Sequence, residues 1–180
     1  MLKPINHQPH ITAVSAPNPM HVFFDTKLTG LTSDPRLLSI GLVADTDATL
    51  YLEFTDGWHE SACSDWVRQY ILPTLGQGER LTRRAAGQRI FDWLQSLDAP
   101  LTLLADSDYD TVLLAELLQQ CGLTHDSFRI QQLAFTGKPQ ALAFEAAKRR
   151  YLASHGLAAH HALSDAATLR AAWQQTIVIG

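Results

Sequence analysis

Three short apolar segments near the start of the chain are joined by connections too short to carry a crossover. The segments lie at 20–24, 37–43 and 50–54. Turn-forming residues, among them Asp34-Pro35 and Asp45-Thr46-Asp47, stand between them. Parallel pairing needs a longer connection, usually one with a helix. The sequence therefore predicts an antiparallel meander in this part of the chain.

After Gly57 the apolar residues recur mostly at helical spacing, interrupted by two further apolar runs. The predicted elements are, in order, a helix over 66–71 capped by Ser64-Asp65, a helix over 79–97, a strand over 101–105, a helix over 113–121 stopped by Gly122, a strand over 128–133, a helix from 138 to 151, and a helix from Ser164-Asp165 to Trp173. Strands first antiparallel and then alternating with helices indicate an α/β fold with a mixed sheet of five to six strands flanked by helices.

The length of 180 residues fits one domain. Residues 1–19 are polar, contain proline and lack periodicity, so we interpret them as an extension before a single domain over 20–180. The N-terminus has no apolar signal segment, and no apolar run has the length of a membrane span. The two cysteines, Cys63 and Cys121, are expected to be reduced thiols. These features predict a cytoplasmic protein.

The formal net charge of −4 provides no overall positive field for a polyanion. A nucleic-acid partner would therefore depend on a local basic patch. Two candidates are present, the run Lys148-Arg149-Arg150 and the arginines of the second predicted helix. Solvation of the surface is the default explanation for both, with phosphate contact favoured for the run at 148–150 because it precedes a candidate site.

Several acids and one histidine lie at the ends of predicted strands or the start of a predicted helix. They are Asp25, Asp106, Asp108, Asp110, His160 and Asp165. Each has an ordinary explanation as a turn former, a helix cap or a first-turn acid. Three acids within 106–110 exceed what capping requires, and clustered carboxylates repel unless a metal or a raised pKa relieves them. Together these residues are typical of a divalent-metal phosphodiester site.

In order and spacing, these segments resemble the three motifs of the DEDD family of 3′–5′ exonucleases, in its histidine subfamily. The segment 24–30, FDTKLTG, is similar to the first motif, Asp-x-Glu-x-Thr-Gly, at every fixed point except one. Tyr109-Asp110 resembles the second motif, and the segment 160–166, HHALSDA, reproduces the third, His-x-Ala-x-x-Asp-Ala. The segment 37–43 also looks like the family's second strand. The resemblance covers about residues 20–175 and implies an RNase H-like fold.

The resemblance also implies a reaction, which is 3′–5′ hydrolysis of single-stranded nucleic acid, RNA favoured over DNA, with two Mg²⁺ or Mn²⁺ ions. By this likeness Asp25 would bridge both metals, Asp110 and Asp165 would each bind one, and His160 would be the general base. The segment Lys27-Leu28-Thr29 would seat the last nucleotide, with Leu28 against its base. Relatives of this kind are often homodimers, so a homodimer is also expected.

Lys27 stands where the family has glutamate. Strand alternation places it on the same face as Asp25, so its ammonium is expected to point towards the metal positions. It would then pair with Asp25 or Asp165, or else turn outward to meet phosphate. The change replaces an anionic ligand by a positive charge, which opposes binding of a dication. Glu53, on the third strand, is the candidate for a substitute carboxylate.

Two functions therefore stay open. One is a metal-dependent 3′–5′ exonuclease weakened by Lys27. The other is an impaired pseudo-exonuclease that binds nucleic-acid 3′ ends. A third interpretation, the aspartyl nucleophile of haloacid-dehalogenase-like phosphatases at 108–112, lacks the paired acids that such enzymes need downstream.

Overall fold

The N-terminal apolar segments form the predicted antiparallel meander. The structure, a computed structural model, describes residues 19–123 and 128–177. In it β1 (Met20–Leu28) pairs with β2 (Leu37–Ala44), and β2 pairs with β3 (Thr49–Phe54), in each case antiparallel. The β1–β2 register places Asp25 opposite Gly41 and is interrupted by an irregularity between Lys27 and Leu28.

The remaining strands extend the sheet on both sides. The further elements are α1 (Asp65–Tyr70), β4 (Glu79–Leu81), α2 (Arg83–Ser96), β5 (Leu101–Ala105), α3 (Asp108–Gln120), β6 (Phe128–Gln132), α4 (Lys138–His155) and α5 (Ala162–Ile177). The sheet order is β4-β3-β2-β1-β5-β6, with β5 parallel to β1, β6 parallel to β5 and β4 parallel to β3. The predicted α/β fold class, with a mixed sheet of five to six strands flanked by helices, is confirmed.

The alternation of side chains along the central strands builds a core on each face of the sheet. On one face Phe24 packs with residues of α2 and α3, such as Ile90 and Leu114. On the other face Phe23 packs with residues of α4 and α5, such as Phe144. Because side chains alternate along a strand, Asp25 and Lys27 lie on the same face of the sheet as Phe23, which is the face that α5 covers.

Gly41 allows α5 to approach the middle of the sheet. A Cβ at this position would lie 2.4 Å from the backbone N and Cα of Leu163, which a real side chain could not tolerate. The absence of a side chain thus brings the first turn of α5 directly onto β2, next to Asp25 on the neighbouring strand.

The structure corrects several predicted boundaries, among them the start of α3, at Asp108 rather than near Leu113, and the end of α4, at His155 rather than Tyr151. The predicted helix over 79–97 begins only at Arg83, because Thr82 caps it by accepting a hydrogen bond from the Ala85 N–H, and residues 79–81 form β4. The last helix begins at Ala162 rather than at a Ser164-Asp165 cap. The carbonyl of His161 accepts its early hydrogen bond from the Asp165 N–H.

Among the helices of the described residues, none has the length and apolar character to cross a membrane. Cys63 is buried, Cys121 is partly buried, and both are free thiols. Residues 1–18 of the expected extension lie outside the described residues, and its division from a domain over 20–180 stays a prediction.

Candidate functional site

The Lys27 ammonium lies between two of the expected site carboxylates. Its Nζ is 2.8 Å from Asp25 Oδ2 and 2.6 Å from Asp165 Oδ2. The side chains of Lys27, Asp25 and Asp165 are 11%, 16% and 23% exposed. The contact with Asp165 is a hydrogen bond, whereas Asp25 Oδ2 is within ion-pair distance but lacks hydrogen-bond alignment. The expectation that Lys27 pairs with Asp25 or Asp165 is confirmed, since it contacts both.

Asp110 contacts β1 at Thr26, the residue between Asp25 and Lys27. Its Oδ1 accepts a hydrogen bond from the Thr26 backbone N–H at 3.0 Å and a second from the Thr26 hydroxyl. Ser107 caps α3 by accepting from the Tyr109 N–H, which fixes the helix start that carries Asp110. Asp110 is therefore held at β1, as its place in the second motif predicts.

Burial dominates the electrostatics of this cluster. It raises the pKa of Asp25 well above its usual range, although the Lys27 ammonium opposes the shift. It raises the pKa of Asp110 to about 6, because the Thr26 hydrogen bonds only partly offset the loss of water. Burial alone would lower the pKa of Lys27, but the Asp25 and Asp165 carboxylates raise it above its ordinary value. Lys27 therefore stays charged.

The two adjacent histidines have different surroundings. His160 is exposed, lies in the left-handed region with φ of 66°, and packs edge-on against Trp66 at 4.9 Å between ring centroids. It also lines a cavity shared with Asp25 and Asp165. His161 is buried and its ring lies 4.3 Å from that of Tyr51. Its burial lowers the pKa of His161, as expected for a structural histidine.

Glu53 is not a substitute metal ligand. Its buried carboxylate accepts hydrogen bonds from the backbone N–H groups of residues 76–78 and from the Tyr51 hydroxyl. It fixes the loop before β4, so the suggestion that it replaces the missing glutamate is wrong for this conformation.

A cavity of about 490 Å³ opens beside Lys27. Its lining includes Leu28 of β1, Trp66 of α1, and Tyr109 and Asp110 of α3. Thr29, also expected to bind the nucleotide, is buried and is not among these lining residues. Its backbone and hydroxyl are hydrogen-bonded to the backbone of Arg36, and its carbonyl accepts from the Ser64 N–H.

A smaller cavity of about 170 Å³ is lined by Asp25, Asp165 and His160 together with Asp106 and Lys148. Lys148 Nζ is 2.5 Å from Asp106 Oδ2 and 3.2 Å from Glu145 Oε1. Of the run 148–150 that was expected to contact phosphate, Lys148 is therefore already paired with acids.

The residues present do not fit the divalent ions that the resemblance implies. A dication needs anionic oxygens free to coordinate it, but here Lys27 takes an oxygen of Asp25 and of Asp165, and Thr26 takes one of Asp110. Over 19–123 and 128–177, no group of three or more His, Cys, Asp or Glu side chains is arranged to hold a metal ion.

Trp66 is the residue of this site that the sequence did not single out. It was predicted as part of a helix, yet it is 49% exposed and lines the larger cavity. The available signal was the pair of i,i+4 stripes on one short helix, Trp66 with Tyr70 and Val67 with Ile71. A helix at the surface buries only one such stripe.

No protein-family model matches the sequence, and no curated protein matches it either. Among solved structures, the chain is similar to S. pombe Pop2p in a form with Mg²⁺ and Mn²⁺ bound, at 12% sequence identity and a TM-score of 0.49. The match covers 88% of this chain and 82% of that one.

Proposed function

We propose that the chain binds single-stranded nucleic acid by its 3′-terminal nucleotide, RNA favoured, in the cavity beside Lys27, and that binding rather than hydrolysis is its function. The observation that carries this proposal is the position of the cavity. An aromatic and aliphatic chamber adjoins a carboxylate cluster whose cation is a lysine of the chain itself.

Four of the six large exposed apolar side chains of the described residues lie in the lining of this cavity or against it. The six are Leu31, Trp66, Tyr70, Tyr109, Val112 and Leu142. Leu31, Trp66 and Tyr109 line the cavity, and Tyr70 packs against Trp66 at 5.5 Å between ring centroids. Aromatic side chains stack on nucleobases with about 1–3 kcal/mol per base and without a metal. A nucleobase is therefore a suitable occupant.

The polar residues in the lining of the cavity suit the sugar of a terminal nucleotide. Asp110 and the hydroxyl residues Ser64 and Ser107 are among its lining residues. A carboxylate accepts hydrogen bonds from ribose hydroxyls, and RNA offers a 2′-hydroxyl that DNA lacks. This favours RNA over DNA as the ligand.

Fluorescence anisotropy with a 5′-labelled single-stranded oligoribonucleotide in EDTA tests the proposal. The parent should bind, and Trp66→Ala should weaken binding about tenfold or more through the lost stacking. Leu142→Ala is the control, because this exposed residue of α4 is absent from the linings of both cavities. A linear competitor should displace the label, whereas a circular one of the same sequence should not. Equal affinity of parent and Trp66→Ala would refute the assignment.

The second candidate is a metal-dependent 3′–5′ exonuclease. It is favoured by the convergence of Asp25, Asp110 and Asp165 at β1, with His160 beside Asp25 and Asp165 in the smaller cavity. It requires Lys27 to leave the place between the carboxylates. Degradation of 5′-labelled single-stranded RNA and DNA with Mg²⁺ or Mn²⁺ tests it. Shortening from the 3′ end by the parent, absent in Asp25→Asn, would establish the enzyme.

A further inference from the structure

We propose that the Lys27 ammonium is the resident cation of the carboxylate cluster and that the cluster assembles without a divalent ion and excludes one. Lys27 would hold the cluster together in this way whichever ligand fills the larger cavity.

Lys27 links two elements that a shared cation would otherwise have to join. Asp25 belongs to β1 and Asp165 to the first turn of α5, and the Nζ of Lys27 contacts a carboxylate oxygen of each at 2.8 and 2.6 Å. With only 11% of the lysine side chain exposed, water has little access to compete for these contacts. The ammonium thus ties the helix to the strand.

Each acid that lines the two cavities has a partner within the chain. Asp25 and Asp165 share Lys27, Asp106 pairs with Lys148, and Asp110 accepts from Thr26. Consecutive residues 25–27 of β1 therefore provide one acid, a hydrogen-bond donor for a second acid and a cation for a third. Because Thr26 and Lys27 belong to a strand of the sheet, they are already in place as partners of the acids, and no ion from solvent is needed.

The position of the ammonium explains why a dication is excluded. An ion that bound Asp25 and Asp165 together would lie next to the positive charge of Lys27, and like charges at this range repel strongly where water is scarce. Moving Lys27 away would break both ion pairs in a largely buried setting. Glu53 cannot serve as a replacement ligand for the ion in this arrangement, because its carboxylate accepts hydrogen bonds from the loop at 76–78.

Titration with Mn²⁺, followed by electron paramagnetic resonance and by thermal unfolding, tests the inference. The parent should take up no stoichiometric Mn²⁺, and its Tm should be the same in EDTA and in millimolar Mn²⁺. Lys27→Glu should take up Mn²⁺, with a Tm that rises by about 5–10 °C at a hundredfold excess over Kd. Lys138→Glu, which makes the same charge change at an exposed position, should behave like the parent.

Stoichiometric Mn²⁺ uptake by the parent would overturn the inference, and this measurement needs no variant. A folded Lys27→Glu that binds no Mn²⁺ would also overturn it, because Lys27 would not then be what excludes the ion. If Lys27→Glu fails to fold, Lys27→Met replaces it. The Lys27→Met protein lacks the ammonium, so its Tm in EDTA should be lower than that of the parent, and Mn²⁺ should restore this Tm. A Tm in EDTA equal to that of the parent would contradict the role of Lys27. Nucleic-acid binding is measured separately, so its failure leaves these outcomes readable.

Discussion

Asp110 is a buried carboxylate that faces hydrogen-bond donors of β1 rather than a cation. It is 5% exposed, and its contacts with Thr26 are hydrogen bonds from an uncharged amide and hydroxyl. Burial raises the pKa of Asp110 from 3.8 to about 6, because the hydrogen bonds from these uncharged donors only partly offset the loss of water. At neutral pH the folded protein therefore holds this charge at a cost in stability.

We expect Asp110→Asn to stabilise the protein in a pH-dependent way. Between pH 3.8 and about 6 the folded state holds a proton on Asp110 that the unfolded state has lost, so this residue destabilises the parent as pH rises through that window. The gain in the free energy of unfolding should be about 1–3 kcal/mol above pH 6 and vanish near pH 4. Urea unfolding across this range measures it.

Asp108→Asn is the matched control, because Asp108 is an exposed acid two residues before Asp110 in the same first turn of α3. It should show no comparable gain at any pH. A gain for Asp110→Asn that is equal at acid and neutral pH would show that Asp110 does not titrate as its burial implies.

The sequence could predict the acids of the site and the pairing of Lys27 with Asp25 or Asp165, but not the partners of the other acids. Asp25, Asp110 and Asp165 follow from motif order, and the shared face of Asp25 and Lys27 follows from strand alternation. The hydrogen bonds of Glu53 could not be predicted from the sequence pattern, because its three backbone donors come from the distant loop at 76–78. Which face of α1 meets solvent, and hence the role of Trp66, is likewise decided by packing.

At the scale of elements, the site depends on how closely α5 approaches β2. The helix start lies on Gly41, beside Asp25 on the adjacent strand, and this contact places Asp165 within reach of Lys27. The glycine is therefore needed for the approach of two backbones.

Gly41→Ala should separate α5 from the sheet. The added methyl group would lie 2.4 Å from the Leu163 backbone, and a helix backbone cannot give way as a flexible side chain can. We expect a loss of about 1–3 kcal/mol in the free energy of unfolding and faster hydrogen exchange in α5. Ser164→Ala, in the first turn of α5, should leave both nearly unchanged. A Gly41→Ala protein as stable as the parent would mean that the helix does not rest on β2.

The elements that were predicted well are those with a long apolar period or a bounded apolar run. The meander, β5 and the part of α3 from Leu113 onward are of this kind, whereas the start of α3 at Asp108 was missed. β4 has only three residues, Glu79–Leu81, and two of them are charged, so no apolar pattern could separate it from the helix that follows. Its pairing with β3 comes from tertiary contact. The start of α5 was placed too late because Ser164-Asp165 has the composition of a cap, whereas both residues lie inside the helix.

At the scale of the whole molecule, charge is distributed so that little of it is available to phosphate at the site. The net charge is −4. The linings of the two cavities contain the basic side chains of Lys27 and Lys148, and both are paired with acids. Exposed basic residues such as Arg149 and Arg150 lie elsewhere on α4. Binding at the proposed cavity must therefore rest on stacking and hydroxyl contacts.

This distribution predicts weak dependence of nucleic-acid binding on salt and on length. For single strands the logarithm of the binding constant falls with the logarithm of salt concentration by about 0.7 for each phosphate that a protein neutralises. With both lining lysines already paired, we expect a slope no steeper than about −1. A trinucleotide should bind nearly as tightly as a dodecanucleotide, because only the terminal nucleotide enters the cavity. Anisotropy titrations over a range of KCl concentrations, with both oligonucleotides and with Arg149→Ala/Arg150→Ala as the comparison variant, measure the slope. A slope of about −3 or steeper that flattens in this variant would place the nucleic acid along α4 instead, with several phosphates neutralised outside the cavity.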